Sequence, residues 1–303
     1  YSDGLQAISV DNNGIGSGVS NYTLSDFTPS PENLWQFDGF YDVGGAGVAT
    51  IVAHPGQDLS QIDSTVDTPV LIGAVSGNTM SKIGVFTDSL SVTNGSPTAT
   101  LAVANTLVGA GQTVTGSNIP AGTTVVSVSG TTVTLSQNAT GTATVTATFD
   151  NNVSVSGGVV VLHPYVFVYG NNGLIRNCAA GNAQDWVSAD ANETNVASGK
   201  IVQGLPVRGG SNSPSGLFWS LDSLIRVSYA PQSLGVAGTQ NFAPPTFWRY
   251  DIISSQTSIM SSQCVIEYDG IYYWIGVDRF LLYNGVVKEI PNNMNQNYFF
   301  DNL

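Results

Sequence analysis

Asp222, Glu267 and Asp278, the last of them next to Arg279, are the acids nearest to the ends of expected strands. A pair of carboxylates is the minimal equipment of glycoside hydrolysis, one acting as acid and the other as base or nucleophile. For Asp278-Arg279 the stronger reading is structural: at a hairpin tip the two residues cap the turn and pair across strands. No sialidase-type repeat of acidic boxes accompanies them. Trp35, Trp219, Trp248 and Trp274 have the flat faces that stack on sugar rings, yet on alternating strands such residues more often fill the gap between packed sheets.

Other chemistry fails on residue types and spacing. The two histidines, His54 and His163, each precede a proline after an apolar run, and neither has a second His or Cys at a metal-ligand spacing. Both read as structural. Asp11-Asn12-Asn13-Gly14 begins like a calcium loop but lacks the later acidic ligand, so an ordinary turn is the better reading. The stretch from Gly14 to Ser20, GIGSGVS, lacks the third glycine of a dinucleotide fingerprint, and the glycine-rich segments hold no nucleophile elbow. Cys178 and Cys264 are too few for a disulfide framework and read as free thiols. No catalytic residue, cofactor site or metal site is expected.

Composition narrows the classes further. With 303 residues the chain can bury a sizeable core, as one large all-β domain or as two domains. Its 34 glycines and 13 prolines supply turns throughout, and no long apolar stripe follows a helical period. Helices are therefore expected to be few and short. A net charge of −13, from 21 acidic against 8 basic residues, argues against a protein that grips phosphates, which takes clustered Lys and Arg. No apolar run approaches the roughly 18 to 20 residues of a membrane-spanning helix. The first residue is Tyr1 rather than Met and the last stretch is NYFFDNL, so residues are expected to be missing at both ends.

The elements that must position any site are short strands. From Glu267 to Met294 the chain reads as hairpins end to end: Asp269-Gly270 and Asn284-Gly285 are two-residue turn dipeptides, with the Val277-Asp278 step between them. This predicts a four-stranded up-and-down meander whose core holds Tyr272, Trp274, Phe280 and Leu282. Further hairpins are expected at Asn172-Gly173 and around Leu221-Asp222-Ser223. The strands ending at His54-Pro55 and His163-Pro164 suggest repetition. Blades of four strands, roughly 40 to 50 residues each, would give about five in the host portion.

Between Ser89 and Phe149 there is no Asp, Glu, Lys, Arg or His, the sharpest composition boundary in the chain. Within this island apolar and hydroxyl residues alternate, which predicts that Val126, Val128, Val133 and Leu135 share one core while Ser and Thr face water. Ser129-Gly130 is the expected turn. The organisation predicted is a discontinuous host domain, residues 1–91 and 150–303, with an inserted charge-free β-module at 92–149.

Two resemblances follow from these residues. The segment GAGQTVTGSNIPAGTTVVSVSGTTVTL resembles a small β-sandwich-like module inserted in phage virion proteins. The Gly-Asn-x-x-Asp-Trp turn at Gly181 to Trp186 and the blade from Tyr268 to Pro291 resemble a family of phage virion structural proteins with a β-propeller. It is similar to the tail nozzle, tubular-tail or DNA-stabilising proteins that complete the head-to-tail channel of short-tailed phages.

The resemblance implies assembly rather than catalysis. It implies an all-β fold, a propeller-like host of four-stranded antiparallel blades carrying the inserted module. It implies a symmetric oligomer: copies of the chain in a ring, in contact with neighbouring tail or portal/adaptor proteins, in the virion and assembled in the bacterial cytoplasm. Passing DNA would slide during ejection along an acidic wall that does not bind it. The alternative reading gives the insert a binding role, toward a capsid surface or a host-surface glycan. A propeller glycoside hydrolase stands third.

Overall fold

The computed structural model describes residues 6–10, 16–21, 34–42, 47–58, 60–63, 80–207, 214–232, 246–291 and 296–302. The Asp11 to Gly14 turn lies outside them. The protein is all-β, with one short α-helix, Gln296–Asp301, among the described residues. Two compact units form: residues 1–155 with 177–192, and residues 156–176 with 193–303.

The first unit holds a four-stranded antiparallel sheet of Gln36–Asp42, Gly47–Ala53, Ser60–Asp63 and Met80–Lys82. It also holds the charge-free island, folded as one six-stranded sheet. In sheet order the strands are Thr113–Thr115, Ala143–Asp150, Val85–Val92, Thr98–Leu101, Thr132–Leu135 and Val125–Ser129. The sheet curls until its outer strands meet at one end, where the Val114 amide donates to Thr123 at 2.9 Å and the Val125 amide to Gln112 at 2.9 Å. Val85–Val92 pairs along its whole length with Ala143–Asp150, so the curled sheet begins before the charge-free stretch does.

Inside the curl, Leu90, Val114, Val133, Ala147 and Phe149 are fully buried. Alternation along each strand puts these side chains in and the hydroxyls out, as the sequence predicts for Val133 and Leu135. Val126 departs from the prediction: it is 55% exposed and Val125 is the core residue. The cause is a β-bulge. Val125 pairs with Leu135 and Ser127 with Thr134, so one extra residue resets the alternation.

The second unit contains three four-stranded antiparallel sheets, each with its strands in chain order. The first runs through Gly158–Leu162, Tyr165–Tyr169, Leu174–Asn177 and Asn192–Asn195. The second uses Ile201–Pro206, Ser215–Ser220, Leu224–Gln232 and Thr246–Ser254. The third comprises Val265–Tyr268, Ile271–Ile275, Phe280–Tyr283 and Val287–Glu289. These are propeller-like blades, and with the sheet of the first unit they number four among the described residues.

Period-two alternation in the middle blade ties the three together. Phe218 packs with Phe167, Tyr169 and Trp248 in one cluster, while its neighbours Leu217 and Trp219 pack with Tyr272, Trp274 and Leu281 in another. A strand buried on both faces needs a continuous apolar run, which is why Gly216–Trp219 breaks the usual alternation with polar residues. The approach is close at Gly204, where a Cβ would lie 2.9 Å from the rings of both Tyr169 and Phe218.

The turns largely follow their dipeptides. Asp269 and Gly270 both take positive φ (52° and 74°), as do Asn172 and Gly173 (57° and 66°). Asn284-Gly285 instead belongs to a longer loop between Tyr283 and Val287, with a positive φ of 105° at Gly285. In the last blade Tyr272 and Trp274 are buried as expected, but their partners on the next strand are Tyr283 and Leu281 rather than Leu282 and Phe280. The two His-Pro steps do not mark equivalent strands: His54 follows the second strand of its sheet and His163 the first strand of another.

Candidate functional site

The candidate acids are held by turns and ion pairs. At the tip between Ile271–Ile275 and Phe280–Tyr283, the Gly276 amide donates to the Arg279 carbonyl at 2.8 Å, leaving Val277-Asp278 as the two-residue loop. The Arg279 guanidinium grips Asp278 through Nε at 2.8 Å and Nη2 at 2.7 Å, and reaches Glu289 on the neighbouring strand at 3.5 Å. The bidentate hydrogen bond from Arg279 holds the Asp278 carboxyl below the usual carboxylate range, and Asp278 in turn raises Arg279. An acid so held stays ionised near neutral pH and has no proton to donate.

Glu267 caps the turn at the other end of Ile271–Ile275, its Oε1 accepting from the Gly270 amide at 2.8 Å. The five-residue strand between the two turns spans roughly 16 Å at ~3.3 Å per residue. Paired glycosidase carboxylates stand about 5 to 9.5 Å apart. That strand therefore keeps Glu267 and Asp278 too far apart to share one glycosidic bond.

Asp222 sits in the turn after Ser215–Ser220, and its Oδ1 accepts from the Ser220 hydroxyl at 2.7 Å. Ser220 is fully buried and its hydroxyl lies 2.7 Å from that of Ser223, so a short chain of hydroxyls fixes the carboxylate. Around it an open cleft of about 340 Å³ is lined by Asn195, Ser198, Ser223, Ile252 and Ser255 together with Asp222. Of these, sequence reasoning picks out Asp222, as a candidate acid and as a member of a turn, and the adjoining Ser223 only as a member of that turn. The others arrive from the end of Asn192–Asn195 with the connector that follows it, and from the end of Thr246–Ser254, segments with no common motif.

Trp219, Trp248 and Trp274 are core, and Trp35 is half-buried. Trp219 stands 5.8 Å from Trp274, and Trp248 lies edge-on to Tyr165 and Phe167 at 4.9 and 4.8 Å. Trp35 stacks edge-on against His54 at 5.0 Å. His54 is buried, with the Pro55 carbonyl 3.2 Å from Nδ1, and burial pushes its pKa down. His163 is exposed at a hairpin turn. Cys178 and Cys264 form no disulfide: Cys178 is buried, and the Cys264 thiol donates to the Ser261 carbonyl at 2.8 Å. Among the described residues no three His, Cys, Asp or Glu side chains gather in a way that could hold a metal ion. Nor is any described helix long and apolar enough to cross a membrane.

The Gly181 to Trp186 segment forms a self-capped loop within the first unit. The Asp185 carboxylate accepts from the amides of Val187 and Ser188 at 3.0 and 2.9 Å, and the Trp186 indole donates to Ala183 at 2.7 Å. From this loop Gln184 accepts a hydrogen bond from Gly84, the residue just before the curled sheet. Asn151, just after that sheet, donates to the Gly84 carbonyl at 3.0 Å and accepts from Gln112 at 3.1 Å. Entry and exit of the curled sheet are thus clasped together.

No family model matches the chain, and no curated protein matches it. Among solved structures it is similar to the phage phi92 endosialidase, with 13% identity and a TM-score of 0.28 over 88% of this chain and 48% of that one. The chain spans about half the length of that structure. A likeness this slight carries no argument about mechanism.

Proposed function

We propose that the chain is a non-enzymatic structural protein of a phage virion, belonging to the tail or the head-to-tail channel and assembling as a symmetric oligomer. The phage assignment rests on the sequence resemblance at Gly181 to Trp186 and Tyr268 to Pro291. The observation that carries the structural role is the blade stacking. Interdigitated aromatics bury both faces of the middle blade, making a stiff unit in which buried aromatics are locked on both sides. On the face turned away from the second blade, the third blade exposes Ile266 and Tyr268 at 65% and 73%, an apolar surface suited to a neighbouring copy. The candidate acids are occupied in turns and an ion pair, which supports a passive role.

A second reading, that the module binds a capsid or host surface, is favoured by one observation. Thr144, Ser91, Thr100, Thr132 and Ser129 pair in register across five strands, a row of exposed hydroxyls with no charge among them. Labelling the protein in intact particles and imaging them by electron microscopy tests the main proposal. Label at the tail or head-to-tail junction is the expected result. Label absent from particles would overturn it.

A further inference from the structure

From the cleft beside Asp222 we infer a binding site for a neutral sugar. It does not depend on where the protein sits in a particle. The cleft's volume, about 340 Å³, lies at the small end of the range for small-molecule sites and suits a single sugar ring. Its lining decides the class of ligand. No Lys, Arg or His lines it, and its one charged group is the Asp222 carboxylate. A phosphate, a sulfate or an acidic sugar would meet that charge with nothing to offset the repulsion. A bare cation is equally unsuited, because calcium takes six to eight oxygen ligands and a single carboxylate supplies too little charge.

A neutral polyol fits the remaining chemistry. Vicinal hydroxyls donate as a pair to the two oxygens of a carboxylate, and such charge-assisted bonds are the stronger kind. The Ser220 hydroxyl already holds Oδ1 of Asp222 at 2.7 Å, so the carboxylate is set before any ligand arrives and loses little freedom on binding. Ser198 and Ser255 each donate or accept, as a hydroxyl ligand requires, while Ser223, whose proton goes to Ser220, offers an acceptor. Asn195 is anchored by its own bond to the Asn172 carbonyl at 2.8 Å and leaves its side-chain oxygen as an acceptor. Ile252, 60% exposed, gives the apolar C–H face of a pyranose a surface to rest on.

Saturation-transfer NMR on the whole chain tests the inference, using the methyl glycosides of glucose, galactose and mannose, with sialyllactose as the acidic comparison. Transfer to at least one neutral glycoside is expected, with none to the sialic acid ring. Asp222→Asn should weaken binding about tenfold, the loss of one charge-assisted hydrogen bond. Asp222 also caps a turn, so Ile252→Ser, an exposed position that leaves the fold intact, provides a second variant and should weaken binding in the same direction. Thr146→Ala, on the curled sheet, should leave it unchanged. No transfer to any neutral glycoside, binding undiminished in both cleft variants, or a preference for sialyllactose would each overturn the inference.

Discussion

Gln184 accepts a hydrogen bond at 2.7 Å from the backbone amide of Gly84, 100 positions earlier in the chain. Gly84 takes a φ of +73°, and a Cβ there would lie 3.1 Å from Asn151 and Val153 and 3.2 Å from Trp186. One residue thus makes the bend, permits the close approach and supplies the donor that anchors the Gly181 to Trp186 loop to the root of the curled sheet.

Gln184→Leu leaves the Gly84 amide without its partner in a buried place. It should lower unfolding free energy by about 1 to 3 kcal/mol. Urea denaturation measures the loss, and amide exchange at Gly84 and Val85 should quicken more than exchange inside the curled sheet.

Trp219→Ala removes a fully buried ring from the cluster shared by the second and third blades. A cost of about 3 to 5 kcal/mol is expected. Ile225→Ala, on the opposite face of the same blade, should cost about 2 to 5 kcal/mol by loosening the other cluster. Thermal unfolding of both variants checks whether the two faces contribute comparably.

The same blades show what a sequence reveals. Strand existence, the Asp269-Gly270 and Asn172-Gly173 turns and the tryptophans between sheets are legible, because turn chemistry and alternation are local. Facing across a hairpin is not. A two-residue loop at Val277-Asp278 flips the parity of residue numbers, so Tyr272 and Trp274 share a face with Tyr283 and Leu281. Phe280 is thereby turned to the outer face, where Phe299 and Phe300 of the C-terminal helix meet it at 5.3 and 5.2 Å. The bulge at Val126 defeats alternation in the same way, by adding one residue that no propensity announces. The cleft beside Asp222 is illegible for a different reason, since its lining comes from three separate segments.

His54 predicts a pH dependence. Burial depresses its folded pKa, so as pH falls below about 6.5 the unfolded chain takes up a proton that the folded chain refuses. Stability should therefore decline from pH 7 downward until the folded pKa is passed. His54→Gln should flatten that part of the curve in urea titrations run between pH 7 and 5.

Arg279→Gln removes the group that holds the Asp278 carboxyl low. The Asp278 titration, followed by carboxyl carbon NMR, should move up toward the ordinary aspartate range, while thermal stability stays nearly unchanged because the pair is exposed.

Oligomeric state bears most directly on the proposal that stacked blades form a passive, self-assembling wall. Native mass spectrometry of the purified protein should show a closed oligomer, broken to monomer by Ile266→Lys with Tyr268→Lys on the exposed face of the last blade. A protein that stays monomeric across micromolar concentrations, or an oligomer indifferent to both substitutions, would contradict it.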